Sequence, residues 1–299
     1  MPAPVLVVNP TKTHSLDRFV DQVTQACTRH GLSAPAVCET TPHDPGEGMA
    51  RAAVERGAVL VLAAGGDGTV RAVCAGLADS QVPIGVLPLG TGNLLARNLD
   101  LPLELDEALD VALTGQDRVL DLGRATVGEG PPTSFVVMAG LGFDAQMMAD
   151  APAALKKAVG WPAYVVSGLR HLRDPAGNVR LVLDDQPAVH RKARGIVVGN
   201  VGSLQGGLAL LPDAVPDDGV LDVVLLSPHH LAHWLRLLAR LAARRPDRAV
   251  SRWTARRVEL RTSLPTHAQL DGEPLGEVRS LLVEVRPGAL VVRVRPSAG

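Results

Sequence analysis

Three short apolar segments in the first third of the chain constrain its fold most. They are Val5–Val8, Ala58–Ala63 and Val82–Leu87, and each runs into a turn rich in glycine or proline. Runs this short and this apolar are typical of strands buried on both faces of a parallel sheet. Apolar residues at helical spacing over Phe19–Cys27 and Met49–Arg56 predict helices between the strands. The alternation predicts a parallel α/β domain built from βαβ units.

The pattern changes near residues 119–122. Short strand-like segments follow, separated by Pro, Gly and Asp turns and mostly without a helix between them. This predicts a β-rich, antiparallel, sandwich-like second domain with helices inserted near residues 152–173 and 229–245. We therefore expect an α/β domain over residues 1–120 and a β-rich domain over residues 121–299.

Composition excludes several classes of protein. Lys and Arg number 30 against 31 Asp and Glu, and aromatics are 2%, so a nucleic-acid partner is not expected. No apolar run reaches the roughly 18 residues of a membrane span, and the start of the chain does not resemble a signal peptide. Cys27, Cys38 and Cys74 form no C-x-x-C pair, which argues against a disulfide framework and favours core positions. A soluble, cytoplasmic protein without a transmembrane segment is expected.

Each predicted strand of the first domain leads into a loop suited to an anion. The first loop is Asn9–Thr13, the second is Gly65–Thr69 and the third is Leu89–Asn93. Glycine lets backbone N–H groups approach a phosphate, and a following helix adds a favourable dipole. Asp67 would repel phosphate there unless it holds Mg²⁺ or accepts a proton. The loops thus favour a Mg²⁺–nucleotide site, although glycines can also serve only as tight turns.

At this point the residues resemble a known family. Gly65–Thr69 (GGDGT) is similar to the nucleotide-binding motif of diacylglycerol and sphingosine kinases. Further matches follow in the family's order: Asn9-Pro10, Pro88–Arg97, Gly140–Ala145 and Asp271–Glu273. The resemblance covers nearly the whole chain and implies two domains with ATP in the cleft between them. NAD kinases share GGDGT, but the late Asp-Gly-Glu and the β-rich second half favour the bacterial lipid kinases.

The resemblance also implies which residues bind the nucleotide. Most of them lie in the three loops and at the start of the helix that follows the second loop. One further threonine lies ahead of the second helix, and we assign this role to Thr41 in preference to Thr40. The full set is Asn9, Pro10, Thr11, Lys12, Thr13, Thr41, Gly65, Gly66, Asp67, Gly68, Thr69, Val70, Arg71, Ala72, Thr91, Gly92 and Asn93. Two departures stand out. Arg71-Ala72 occupy positions where the family commonly has Asn-Glu, and the first loop lacks the family's usual glycine.

Catalytic and metal roles follow from the same resemblance. Glu273 is implied as the general base that takes the proton from a lipid hydroxyl, and Asp67 as the organiser of catalytic Mg²⁺. A structural Mg²⁺ is implied at three positions, the carbonyls of Val215 and Val220 and the carboxylate of Asp218. Asp121 and Asp144 are implied as supporting or acceptor-side groups.

Two acidic segments and one histidine cluster can also be interpreted from the residues alone. If Asp271–Glu273 is extended, its two carboxylates lie on the same side of the chain and raise each other's proton affinity. Asp271 is then predicted to be a second catalytic carboxylate. The alternative is that the segment is an ordinary polar turn. Asp217–Gly219 is rich in the oxygen ligands that a hard cation needs, which predicts a metal-binding loop. The alternative is that this segment is a solvated turn. His229, His230 and His233 have no acidic or Cys neighbour, which favours a solvent-facing helix start over zinc.

These features together predict an ATP- and Mg²⁺-dependent lipid kinase. Its partner would be a lipid at a membrane surface, reached from the cytoplasm at the inner face, and a homodimer is left open. The chain has two basic amphipathic stretches, Ala154–Arg173 and Leu231–Arg248. Each is predicted either to dock on anionic lipid or to pack on its own domain. In the second stretch, the basic stripe consists of Arg236, Arg240 and Arg244. Alternatives are a kinase for a soluble acceptor, such as NAD or a sugar phosphate, and a nucleotide-binding regulatory protein without turnover.

Overall fold

A computed structural model describes residues 3–142, 177–203, 210–227 and 249–296, together with residues 233, 236, 240 and 247. The chain divides into two compact units. Unit 1 comprises Met1–Leu122 and Pro287–Gly299, and unit 2 comprises Gly123–Arg286. The predicted Asp144 and the stretch Ala154–Arg173 lie outside the described residues.

Unit 1 is the α/β domain that the sequence predicts. Its elements are β1 (Val5–Val8), a 3-10 turn (Pro10–Lys12), α1 (Leu16–Arg29), β2 (Ala36–Glu39), α2 (Glu47–Glu55), β3 (Val61–Gly65), α3 (Asp67–Leu77), β4 (Ile84–Pro88), α4 (Leu94–Asn98) and α5 (Leu105–Thr114). The strands pair in parallel in the order β2-β1-β3-β4. Every residue of β1, β3 and β4 is buried, as expected for strands covered on both faces.

The core of unit 1 explains why α1 forms where the pattern predicts it. Phe19, Val23, Ala26 and Cys27 lie on one face of α1 and are buried against β1, β3 and α5. Neither α5 nor β2 follows from the sequence pattern. In β2, three of four residues are exposed, so the strand lacks the apolar run that identifies a buried strand.

Unit 2 is antiparallel and β-rich, which confirms the predicted class of the second domain. Its strands are β5 (Gln116–Val127, entering from unit 1), β6 (Pro132–Phe135), β7 (Met138–Gly142), β8 (Gly177–Leu183), β9 (Val189–Ala193), β10 (Gly195–Gly199), β11 (Leu221–Leu226), β12 (Val250–Ala255), β13 (Arg257–Leu270) and β14 (Glu273–Val294). Strands pair in the order β12-β11-β10-β7-β13-β14, with β8 and β9 continuing from β13. Alternate residues such as Val179, Leu181 and Leu183 of β8 point into one apolar core.

The end of the chain differs from the predicted division at residue 121. The last residues of β14 belong to unit 1, where Val292 pairs in parallel with Ile84 of β4. Ala289 O also accepts a hydrogen bond from Asp79 N–H at 2.8 Å. The local pattern of Leu290–Val294 marks a strand but not its partner, because pairing with β4 joins residues more than 200 positions apart.

Candidate functional site

The first loop is shaped by Asn9. Its Oδ1 accepts hydrogen bonds from Thr11 N–H at 3.0 Å and from Thr11 Oγ1 at 2.8 Å, which caps the 3-10 turn. Asn9 N–H donates to Ala64 O at 2.8 Å. The first loop is therefore fastened beside the end of β3, where the second loop begins.

The second loop leads directly into α3. The sequence predicts this helix from Val70, but it begins at Asp67 with Gly66 as N-cap, so most of the GGDGT motif is its first turn. A Cβ on Gly65 would lie 2.5 Å from Thr69 Cβ, so Gly65 leaves room for a buried threonine. The first N–H groups of a helix have no partner within the helix, and their positive end favours an anion.

The third loop is closed by Asn93, which adopts the left-handed conformation with φ of 49°. Its Oδ1 accepts from Gly90 N–H and its Nδ2 donates to Gly90 O, both at 2.9 Å. Leu89 N–H donates to Gly65 O at 2.9 Å. A Cβ on Gly90 would lie 2.8 Å from Gly66 Cα, so the second and third loops pack backbone to backbone. Gly90 was not among the predicted site residues, although its place in a Gly-x-Gly segment could have indicated it.

Asp67 joins these two loops. Its carboxylate accepts hydrogen bonds from Asn93 N–H at 3.0 Å and from Leu94 N–H at 2.5 Å, and so caps the start of α4. As the first residue of α3, it also lies at the positive end of that helix. A carboxylate has about four lone-pair positions, and its oxygens are of the kind that Mg²⁺ prefers as ligands. Holding the loops together is a role that the sequence did not indicate.

The remaining predicted nucleotide-binding residues differ in exposure. Thr11, Lys12 and Thr91 are exposed, whereas Thr69, Val70 and Ala72 are buried and Arg71 is half-buried. Thr41 is exposed and its Oγ1 accepts from Asp44 N–H at 3.1 Å; its neighbour Thr40 is buried. Buried members of the set can meet a ligand only through their backbone.

Asp44 is a structural residue that the sequence analysis missed. Its Oδ1 accepts from the N–H groups of Gly46 at 2.9 Å and Gly48 at 3.2 Å, which satisfies the start of α2. The signal was available, because Asp44 stands three residues before Glu47, the spacing of a capping box.

The Asp-Gly-Glu segment is a tight hairpin turn and is not extended, which corrects the predicted alignment of its carboxylates. Asp271 and Gly272 have φ of 47° and 85° and connect β13 to β14, with Leu270 paired to Glu273. Positive φ at both central residues is typical of a type I′ turn, for which Asp-Gly is a preferred sequence.

The two carboxylates of this turn have separate environments. Asp271 is 4% exposed and accepts hydrogen bonds from the N–H groups of Val136, Val137 and Met138 at 2.8–2.9 Å. Its own N–H donates to Met138 O at 2.8 Å. Glu273 is exposed. Asp271 thus anchors the turn to the start of β7, and Glu273 is the carboxylate that can meet a substrate.

Asp121 is likewise buried, at 3% exposure, and its Oδ1 accepts from Gly288 N–H at 2.8 Å. Gly288 has φ of 63°, a conformation that favours glycine. Within unit 1, the carboxylate therefore holds β14 at Gly288, just before the segment that pairs with β4.

The predicted metal loop carries several carboxylates around Asp222. Burial, followed by the nearby Asp218 and Asp213, raises the pKa of Asp222 to about 6 against the opposing effect of Arg252. Asp218 is exposed, and its Oδ1 accepts from Val220 N–H at 3.1 Å. In the described ranges no three His, Cys, Asp or Glu side chains lie close enough to hold a metal ion. A cation at this loop would thus need backbone carbonyls as well.

Comparison with known proteins identifies the family. A model of the diacylglycerol kinase catalytic domain matches residues 3–125, and a model of the YegS C-terminal NAD kinase beta sandwich-like domain matches residues 135–294. A Pseudomonas savastanoi protein named "Probable lipid kinase YegS-like" is 36% identical over 241 residues, which cover 78% of this chain and 75% of that protein. The chain belongs to the YegS-like family of diacylglycerol kinase-related proteins. Membership confirms the resemblance and supports an ATP-using kinase activity.

Other YegS-like proteins and solved structures agree. A Yersinia pestis relative of the same name is 31% identical over 260 residues, covering 84% of this chain and 85% of that one. The crystal structure of a Bacillus anthracis diacylglycerol kinase has a TM-score of 0.74 at 18% identity, and the match covers 100% of this chain and 98% of that one. Yeast NADH kinase has a TM-score of 0.56 at 11% identity, covering 99% of this chain and 84% of that one. At these identities the structures show a shared fold.

The basic stripe of the Leu231–Arg248 stretch is partly neutralised within unit 2. Arg236 Nε lies 3.1 Å, and Arg240 Nε 3.6 Å, from Oδ2 of Asp247, whose side chain is 2% exposed. Asp247 Oδ1 also accepts from Ala249 N–H at 2.9 Å. This pairing favours the interpretation in which the stretch packs on its own domain over the one in which its arginines bind anionic lipid. Across the described residues, no helix is long and apolar enough to cross a bilayer.

Replacing Asp247 by Asn should make the free energy of unfolding of unit 2 less dependent on pH in the acidic range. Burial acts to raise the pKa of Asp247, but the Ala249 N–H and the guanidinium groups of Arg236 and Arg240 outweigh it and hold that pKa below its ordinary value. The stabilisation is therefore complete above about pH 4 and is lost as the pH falls through the lowered pKa. We expect D247N to cost about 1–3 kcal/mol at pH 7 and progressively less below pH 4.

Urea unfolding followed by tryptophan fluorescence measures this effect, because Trp161, Trp234 and Trp253 all belong to unit 2. A difference between wild type and D247N that stays constant from pH 7 to pH 3 would contradict the assigned ion pairs.

Proposed function

We propose that this chain is an ATP-dependent lipid kinase that transfers the γ-phosphoryl group of ATP to a lipid hydroxyl. The observation that carries the proposal is the close packing of the Gly66 and Gly90 backbones beside the start of α3. Side chains at these glycines would cover the N–H groups that can bind phosphates. The family relatives, whose printed names describe lipid kinases, support the acceptor class.

In the proposed reaction Glu273 accepts the proton of the lipid hydroxyl while the hydroxyl oxygen attacks the γ-phosphorus. The bond between that phosphorus and the β–γ bridging oxygen breaks, and ADP leaves. Asp271 holds the turn that carries Glu273, which makes it a positioning residue in this proposal. Bound Mg²⁺ would offset phosphate charge. The Asp67 carboxylate, and separately the Asp218 carboxylate with the Val215 and Val220 carbonyls, would offer the hard oxygen donors that Mg²⁺ prefers.

A kinase for NAD is the second candidate. Two observations favour it: the NAD kinase-like name of the matched second domain, and the Archaeoglobus fulgidus NAD kinase in complex with ATP, which has a TM-score of 0.50 at 16% identity. An acceptor panel separates the candidates. Purified protein with ATP and Mg²⁺ is offered diacylglycerol, phosphatidylglycerol, a sphingoid base, soluble alcohols or NAD. We expect phosphorylated product from a lipid, in keeping with phospholipid metabolism at the inner membrane face. Product only from NAD or a soluble alcohol would overturn the lipid assignment.

Replacing Gly66 by Ala tests the phosphate-binding loops without disturbing their packing. The added Cβ would lie 3.7 Å from Gly90 Cα and 3.9 Å from Lys12 Cε, which are ordinary contacts, and the φ of −88° suits alanine. The methyl group would nevertheless obstruct approach of a phosphate. We expect ATP affinity to fall roughly 10- to 100-fold, as for the loss of charge-assisted hydrogen bonds, with a Tm change below about 3 °C.

The matched control is Gly177→Ala at the start of β8. Its Cβ would also make only an ordinary contact, 3.8 Å from Ser263 Oγ, but in unit 2. ATP affinity that is equal in G66A and G177A, as measured by calorimetry, would show that Gly66 is only a turn residue.

A further inference from the structure

Lys12 occupies an unusual place on the first loop. It ends the 3-10 turn, is exposed, and its N–H donates to Asn9 O at 3.1 Å, so its backbone is fixed while its side chain reaches outward. Its Cε lies 3.9 Å from the position that a Cβ on Gly66 would take. The next atom along the side chain is the ammonium nitrogen. The cation is therefore placed at the edge formed by the Gly66 and Gly90 backbones.

Within the part of the chain that the structure describes, no neighbouring carboxylate neutralises the charge of Lys12. Among the residues that the structure describes, no carboxylate forms an ion pair with it within 4.0 Å. Asp67 is the acidic residue of the adjacent loop, and its two oxygens accept from Asn93 and Leu94 N–H. The Lys12 ammonium and the positive end of α3 both favour an anion, so an anion bound between them would meet both.

The chain's departures from the family pattern add to this argument. Lys12 stands in a first loop without the family's usual glycine, and Ala72 stands where the family commonly has Glu. Alanine in place of glutamate removes a negative charge near the second loop, and Lys12 carries a positive charge on the first loop. A lysine ammonium is a compact point charge on a flexible stem, and this is the form in which phosphate-binding loops of other nucleotide-binding proteins use lysine.

We propose that Lys12 binds the terminal phosphates of the nucleotide and increases the preference of this site for a triphosphate over a monophosphate. The proposal rests on the proposed function, because it assumes a nucleotide on the three loops. It assigns to this chain's own lysine a contact that backbone N–H groups alone would otherwise make.

Affinity measurements with nucleotides of different phosphate number test the assignment. For K12A we expect ATP affinity to fall roughly 10- to 100-fold, the range for a lost charge-assisted hydrogen bond, while AMP affinity changes less than about 2-fold. K12R keeps the charge and should recover most of the ATP affinity. The charge-matched control is R29A, which removes an exposed cation at the opposite end of α1, and it should bind as wild type.

Chemical labelling provides a second readout. With an acyl-phosphate derivative of ATP, the Lys12 amine would attack the acyl carbon, an amide would form, the acyl–oxygen bond would break with release of ATP, and a proton would pass to solvent. Lys12 is the only lysine of unit 1, and Lys156, Lys157 and Lys192 serve as internal comparators. We expect ATP to protect Lys12 alone, as read by peptide mass spectrometry.

The outcomes separate the two proposals. Wild type that binds ATP, with K12A binding equally well and Lys12 unlabelled, would overturn the role of Lys12 and leave the kinase proposal standing. An equal loss of ATP and AMP affinity in K12A would also overturn it, since that result indicates general damage to the loop. Wild type that binds neither ATP nor the probe would overturn the proposed function itself.

Discussion

Replacing Glu273 by Gln should lower kcat by about 10²- to 10⁴-fold while the affinity for ATP stays within about 2-fold of wild type. Gln preserves size and hydrogen bonding but cannot accept a proton, and general-base catalysis contributes this range of rate. Glu273 is exposed at the end of a hairpin whose turn is held by Asp271, so the substitution should leave the fold intact. Steady-state kinetics with the acceptor that the panel identifies gives the measurement.

The matched control is Glu277→Gln. Glu277 is an exposed glutamate on the same strand, with Oε1 3.3 Å from His267 Nε2. Removing its charge alters the same hairpin without touching the proposed base, so kcat should remain near wild type. Equal kcat values for E273Q and wild type would remove Glu273 from the role of base.

Replacing Asp67 by Ala should have the second large effect, and should weaken nucleotide binding even without metal. The substitution removes the acceptor for Asn93 and Leu94 N–H, so the second and third loops lose their connection. Loss of such a cap costs about 0.5–2 kcal/mol, and misplacement of the loops should lower kcat/KM by 10²-fold or more. If Asp67 served only to hold Mg²⁺, ADP affinity in EDTA would be unchanged or would rise, because the substitution removes a negative charge beside the phosphates.

Calorimetry with ADP, in EDTA and in Mg²⁺, therefore distinguishes the two roles. We expect D67A to bind ADP at least 10-fold more weakly under both conditions, in keeping with one or more lost hydrogen bonds. D184A is the matched control, because Asp184 Oδ1 accepts from Arg256 and Arg257 N–H at 2.9 and 2.8 Å in unit 2. Weaker binding of D67A in Mg²⁺ alone would show that Asp67 acts through the metal.

The parts of this molecule that the sequence predicts are those with a local signal. Buried strands such as β1 and β3 show as short apolar runs, and the second loop shows as a glycine cluster after a strand. The sequence predicts the start of α3 three residues too late, because the apolar spacing begins at Val70 whereas the helix begins at Asp67 with Gly66 as its N-cap. Periodicity locates the middle of a helix better than its ends.

The contacts that give the site its geometry are long-range and carry no local signal. Asp67 bonds to Asn93, 26 positions away, and Asp271 to Val136, 135 positions away. When only the neighbours in sequence are known, a carboxylate in a glycine loop or in an Asp-Gly turn fits three roles equally well. These roles are catalysis, metal binding and stabilisation of a turn. Its partners decide among these roles, and the partners are set by the tertiary fold.

The most direct test of the central claim is transfer of radiolabel from ATP to lipid. Protein is incubated with Mg²⁺ and diacylglycerol in mixed micelles, in parallel with γ-labelled and α-labelled ATP, and label in the organic phase is counted for wild type, E273Q and E277Q. We expect lipid-phase label from γ-labelled ATP alone, formed by wild type and E277Q and nearly abolished in E273Q. A lipid acceptor is contradicted if diacylglycerol and every other lipid of the panel stay unlabelled while the same protein transfers the γ-phosphoryl group to NAD.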